Sequence, residues 1–156
     1  MAWRELALNL SQRGHRLLMR AMRPLTLGVR GIVIDPEERV FLVRHSYVPG
    51  WHFPGGGVEP GETLLEALAR ELREEGNIEL GDAPPLHGLF FNASLRRDHV
   101  AAYVVRSFQQ TAPRGRDWEI VETGFFSLRR LPEEATRATR DRIAELLGEQ
   151  PISQLW

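Results

Sequence analysis

The sequence predicts an α/β protein: a mixed β-sheet with helices on both faces. Two observations lead there. Patterned segments run helix, strands, helix, strands, helix along the chain, an order that layers helices against a sheet. The strand-like runs are short, rich in Val, Ile and Phe and bounded by turn residues. The long stretch after Thr63 instead repeats its leucines at helical spacing. With 156 residues the chain suits one domain with a real core. Hydrophobic residues at 42% and charged ones at 26% place it among soluble globular proteins. A net charge of −1 supplies no overall field to recruit nucleic acid. The absence of cysteine excludes disulfides, thiolate metal sites and cysteine nucleophiles, and suits a reducing, cytoplasmic setting. No apolar run approaches the roughly 20 residues of a membrane span.

Residues 1–25 read as a separate amphipathic segment. Leu6, Leu10, Leu17, Leu18, Met22 and Leu25 line one side, while Arg13, Arg16, Arg20 and Arg23 make it basic. It is expected to pack on its own domain or on a partner subunit, which allows a homodimer. Organelle targeting and an anionic membrane surface are the alternatives. Residues 26–156 form the domain proper. Thr26 to Tyr47 reads as a β-hairpin turning at Asp35-Pro36-Glu37-Glu38. A loop through Pro49, Gly50 and Trp51 leads by Phe53 and Pro54 into glycines.

Thr63 and Glu66 have the spacing of a capping box. Leu64, Leu65, Leu68 and Leu72 follow as the apolar stripe, and Gly76-Asn77 supplies a helix stop. Leu86–Ala93 and His99–Phe108 are two further strands around a turn at Arg96, Arg97 and Asp98. A charged loop, Thr111–Asp117, precedes a strand from Ile120 to Leu128. Pro132 starts the last helix, to about Leu147, and Ile152, Leu155 and Trp156 make a docked apolar tail.

The acids of the first of these helices carry the functional argument. At about 100° per residue, Glu71 and Glu75 fall beside Leu64 and Leu68 at the border of the apolar stripe. Glu74 lies just outside them, and Glu66, Arg70 and Arg73 take the far face. Two like charges about 4 Å apart cost on the order of 4 kcal/mol at an effective dielectric near 20. Protonation would offset that cost, and so would a hard cation such as Mg²⁺, which takes a few carboxylates, water and phosphate oxygens. A solvated acidic helix end is the bland reading of the same residues.

Gly56, Glu62, Arg70, Glu71, Leu72, Glu74, Glu75 and Ile78 stand at the spacings of the signature box of the Nudix hydrolases, which the stretch Gly55–Ile78 resembles. One position departs: Asn77 stands where the box has glycine. The resemblance implies the family's α/β/α sandwich and Mg²⁺-dependent (or Mn²⁺-dependent) cleavage of a diphosphate linkage in a nucleoside diphosphate derivative or nucleoside triphosphate. It makes Glu71, Glu74 and Glu75 metal ligands, with the Gly55 carbonyl a further candidate, and casts Glu62 and Arg70 as the groups that orient them. The general base is a box glutamate such as Glu74 or an acid from a later loop. Glu119 has the appropriate distance to Phe125-Phe126, and Glu122 and Asp98 compete with it.

Arg44 is the candidate phosphate contact, with an edge salt bridge as the alternative. Tyr47, Trp51 and Phe53 are candidates to stack on a base, against core packing. The stretch Ala93-Ser94-Leu95-Arg96 lacks the proline or tyrosine of the usual ADP-ribose and dinucleoside polyphosphate groups. The expectation is therefore a pyrophosphohydrolase of a small nucleotide. A catalytically silent Nudix-like binding or regulatory module is the alternative, and the intact acids argue against it.

Overall fold

The computed structural model describes residues 25–156, so the amphipathic segment expected over residues 1–25 lies almost wholly outside the described residues. The elements are strands β1 (Thr26–Val33) and β2 (Arg39–His45), helix α1 (Leu64–Gly76), strands β3 (Ile78–Leu80), β4 (Leu86–Asn92), β5 (Asp98–Val105), β6 (Phe108–Gln110) and β7 (Ile120–Ser127), and helix α2 (Arg137–Leu146). β1 runs parallel to β5 and β5 antiparallel to β4, giving a mixed three-stranded sheet in the order β1-β5-β4. β2 pairs antiparallel with β7, and the short β3 with β6.

The architecture is an α/β/α sandwich, and side-chain alternation explains it. Val29 and Val33 of β1, Phe41 and Val43 of β2, and Ala101 and Tyr103 of β5 pack with Leu68 and Leu72 of α1. Their neighbours Ile32, Ile34, Val40, Leu42 and Ala102 pack on the opposite side with Ile143 of α2, Trp51 and Phe53. Strands buried on both faces read as continuous apolar runs, and Ile32-Val33-Ile34 and Val40-Phe41-Leu42-Val43 are such runs. Gly31 brings α1 close: a Cβ there would lie 2.9 Å from Leu72 Cδ2.

Several boundaries differ from the sequence expectations. β1 and β2 are joined by a tight turn, in which Asp35 Oδ1 accepts from the Glu37 and Arg39 amides. They meet only at an Ile34–Val40 bridge, because each pairs with a distant strand instead. The turn residues fix a reversal; the two-sided apolar strands choose the partners. β3 and β6 are too short to stand out by periodicity. Helix α2 starts at Arg137, five residues after Pro132, and its N-cap is Thr136, whose hydroxyl accepts from the Thr139 amide. In α1, Thr63 and Glu66 form a capping box, and Asn77 at φ 52° closes the helix in the left-handed region. Leu65 stays 38% exposed, outside the stripe.

The C-terminal tail docks by its backbone. The Phe91 amide donates to the Gln154 carbonyl, and the Trp156 amide to that of Phe91, at 2.8 and 3.0 Å. Beneath it, buried Arg142 grips Glu145 with two bonds of 2.7 and 2.6 Å and lies over the rings of Phe90 and Trp156. Glu145 also accepts from the Ser153 amide and meets His87. The side chains of Ile152 and Leu155 remain more than half exposed. Among the described residues no helix is long and apolar enough to cross a membrane.

Candidate active site

The glycine stretch before α1 continues the sheet. The amides of Val29 and Gly31 donate to the carbonyls of Gly56 and Pro54, and the Val58 amide to that of Leu27. Residues 54–58 thus run along the free edge of β1. Gly55 has φ 142°, and a Cβ there would collide with the Val29 carbonyl, so this close approach excludes any side chain.

That edge fixes the first carboxylate. Glu75 is 7% exposed, and its Oε2 accepts from the Gly55 amide at 2.8 Å. His45 Nε2 stands 3.4 Å from Oε1. Burial pushes the Glu75 carboxyl up to about 7, although the Gly55 N–H opposes this. Burial also pulls His45 below the usual histidine value, and its Nδ1 has no hydrogen-bond partner among the described residues. Glu71, one turn earlier, is half-buried and likewise raised by burial. Its Oε1 accepts from Arg70 Nη1 at 2.7 Å. A Cβ at Gly56 would strike that carboxylate and turn it aside, so glycine there lets Glu71 keep its place against the loop.

Arg70 is held away from solvent rather than on an open face. Its Nε and Nη2 bind Glu62 at 2.9 and 3.0 Å, and Nη2 also donates to the Gly57 carbonyl at 3.0 Å. Arg70, and after it the Glu59 amide, hold the Glu62 carboxyl below its ordinary value. Glu62, Arg70 and Glu71 thus form a chain from the loop to the helix. Glu74 is 60% exposed and 3.7 Å from Arg70 Nη1.

Glu71, Glu74, Glu75 and Glu119 line one cleft of about 440 Å³, together with Arg73, Asn77, Arg114 and Ile120. The loop carrying Glu119 is braced from several sides. Asp117 Oδ1 accepts from the Glu119 and Ile120 amides, and Arg114 binds both Asp117 and the Glu74 carbonyl. The Ser46 amide donates to the Glu119 carbonyl, and Tyr47 Oη to Glu119 Oε1 at 3.2 Å. Of the three candidate bases beyond the box, Glu119 alone lines the cleft, which it shares with the box candidate Glu74. Glu122 faces Arg44, and Asp98 accepts from Thr26 and Asn92.

Arg44 is placed elsewhere. It meets Glu134 at 3.2 Å and Glu122 at 3.8 Å, beside a neighbouring hollow. As it stands it makes the edge salt bridge rather than a phosphate contact. Trp51 and Phe53 are core residues at 5% and 1% exposure, which leaves Tyr47 as the exposed member of the three aromatic candidates. Arg30 on β1 was missed by sequence reasoning. The available signal was a lone charge inside the apolar run Val29-Arg30-Gly31-Ile32-Val33-Ile34.

The donors are hard oxygens, and among the described residues the buried Glu75 has no arginine within 4 Å. That set suits a hard divalent cation. Among the described residues no three His, Cys, Asp or Glu groups already converge closely enough to hold an ion. Glu71 is turned to Arg70 through Oε1 and Glu74 toward solvent. The Gly55 carbonyl accepts no bond among the described residues, so it is free to serve as a further donor.

Comparison with known proteins bears on the family and the fold. The family model described as NUDIX domain matches residues 24–147. Over 63 residues the chain is 43% identical to an RNA pyrophosphohydrolase of Legionella pneumophila, covering 40% of this chain and 35% of the relative. The match therefore spans about a third of that relative's length. Among solved structures, a MutT NUDIX hydrolase from Burkholderia pseudomallei superposes with a TM-score of 0.68 at 25% identity, covering 78% of this chain and 97% of the other. A MutT protein from Methanosarcina mazei Go1 gives 0.65 at 25% identity, covering 83% and 98%.

Proposed function

We propose, since this chain belongs to the NUDIX family, that it is a Mg²⁺-dependent pyrophosphohydrolase cleaving a diphosphate linkage in a nucleoside diphosphate derivative or nucleoside triphosphate. The observation that carries the reading is Glu75: a buried carboxylate, anchored on the Gly55 amide, that shares a cleft with Glu71, Glu74 and Glu119. A structural carboxylate at that depth would be matched by an arginine, as Glu145 is by Arg142.

Glu71, Glu74, Glu75 and the Gly55 carbonyl would hold the cation, with Mn²⁺ as a substitute. Bound there, the ion would neutralise charge building on the phosphate oxygens. The protein's own residues do the positioning. Glu62 fixes Arg70, which fixes Glu71 and leaves its Oε2 free. Glu119 takes the proton from the attacking water, oriented by Tyr47 and the Asp117 turn. The reaction needs little else beyond alignment and electrostatic stabilisation.

The test is a screen of nucleoside triphosphates, nucleoside diphosphate derivatives and a 5′-triphosphorylated RNA with Mg²⁺. It compares the wild type with Glu74→Gln, Glu75→Gln and Glu119→Gln. Turnover by the wild type and a loss of at least about a hundredfold in the variants is expected. Equal rates in all four would overturn the site. Binding without turnover of any compound would favour the silent module.

A further inference from the structure

Arg30 is unusual among the arginines of this protein. Every one of the chain's 20 basic residues is arginine, so any cationic side-chain contact to a phosphate is made by a guanidinium, apart from histidine. Among the described residues, five arginines are half-buried or buried: Arg30, Arg44, Arg70, Arg114 and Arg142. Four have a carboxylate within 4 Å, in Glu134, Glu62, Asp117 and Glu145 respectively. Arg30 has none among the described residues. Its one hydrogen bond runs from Nη1 to its own neighbour's carbonyl, Val29, at 3.1 Å.

Its position is set by the backbone. Arg30 lies between Val29 and Gly31, whose amides bond the carbonyls of Gly56 and Pro54. It therefore stands directly across from Gly55, close enough that a Cβ on Gly55 would be 3.0 Å from Arg30 Cα. The Gly55 amide is the one that anchors Glu75. Burying an unpaired guanidinium is expensive, and a fork of free N–H donors matches phosphate oxygens in shape and charge.

We propose that Arg30 is a phosphate-binding residue: from its place on β1 opposite Gly55, whose amide anchors Glu75, its free N–H groups take non-bridging oxygens of the substrate's diphosphate. This rests on the pyrophosphohydrolase reading, and it adds a contact from β1. The rival role is a distant counter-ion that merely eases the burial of Glu71 and Glu75.

Calorimetry separates the two roles. Mg²⁺ alone is titrated into the wild type, Arg30→Gln and Arg30→Lys; then an α,β-methylene nucleoside diphosphate is titrated at saturating Mg²⁺. The phosphate role predicts analogue affinity at least about tenfold weaker in Arg30→Gln, a smaller loss in Arg30→Lys, and Mg²⁺ affinity unchanged or tighter. The kinetic counterpart is a KM that rises in the same order. Arg30→Lys keeps the charge and serves as the folded control should Arg30→Gln unfold. Analogue affinity within twofold of wild type in the folded variants would overturn the proposal. So would a loss matched by equal losses of Mg²⁺ affinity and melting temperature. If the wild type itself binds neither Mg²⁺ nor the analogue, the pyrophosphohydrolase reading fails first and takes the Arg30 role with it.

Discussion

Glu75→Gln should make the metal-free protein more stable at pH 8, and the size of the effect can be worked from the site. Burial moves the carboxyl from an ordinary value of 4.5 to about 7 in the folded state. The folded protein thus holds this proton more tightly than the unfolded chain. Between those two values the native state binds more protons, so stability falls as pH rises, and the loss is complete above about pH 7. An interval of roughly 2.5 pH units at ~1.36 kcal/mol each amounts to about 3 kcal/mol. Glutamine keeps an oxygen for the Gly55 amide and carries no charge, so it escapes this loss. The assay is urea unfolding of both proteins in EDTA at pH 5, 6, 7 and 8. Part of that loss has already occurred at pH 5, so the wild type should lose about 2.5 kcal/mol relative to the variant across the series, a melting difference of roughly 5 to 10 °C for a domain of this size. Titrating groups remote from Glu75 cancel in the difference. A flat difference across the series would refute the argument that Glu75 is a buried acid without adequate countercharge. Mg²⁺ added at pH 8 should recover the wild type and leave the variant unmoved.

Three other outcomes are expected. Asn77→Ala should lower stability by about 1 kcal/mol in chemical denaturation, because alanine pays for the left-handed conformation that asparagine tolerates, while Asn77→Gly should be near neutral. Glu62→Gln should weaken Arg70's hold on Glu71, reducing kcat and Mg²⁺ affinity by about tenfold or more with the melting temperature scarcely moved. Glu145→Gln should leave Arg142 buried without its charged partner and cost on the order of 3 kcal/mol, read by urea titration, without affecting Mg²⁺ affinity in the folded protein.

Much of this was legible because local chemistry and tertiary role coincide in the stretch from Gly55 to Ile78. The capping box, the leucine stripe and the acids beside it are all properties of one helix, so spacing alone places them. Glu119 was reachable only through its distance from Phe125-Phe126, and its partners Tyr47 and Asp117 only through folding. Arg44 and Arg30 illustrate the limit. Both are arginines on strands that lead to the site, and sequence favours the one at the strand end. Which of them finds a carboxylate depends on Glu134, 90 residues away from Arg44. The β1–β2 hairpin failed for the same reason, since turn residues specify a reversal and say nothing about which strand will be the neighbour.

The strip of backbone laid along β1 divides the labour between constancy and change. Gly55 is stitched to the edge of the sheet, and Glu75 on α1 is tied to it through the Gly55 amide. The segments around Tyr47 and Arg114–Glu119, by contrast, touch the rest mainly through side chains and turns. Under the proposed reading, changes in those two segments shift Glu119 and its partner Tyr47 relative to the fixed Glu75, so altered rate and selectivity in relatives of this chain should be sought there.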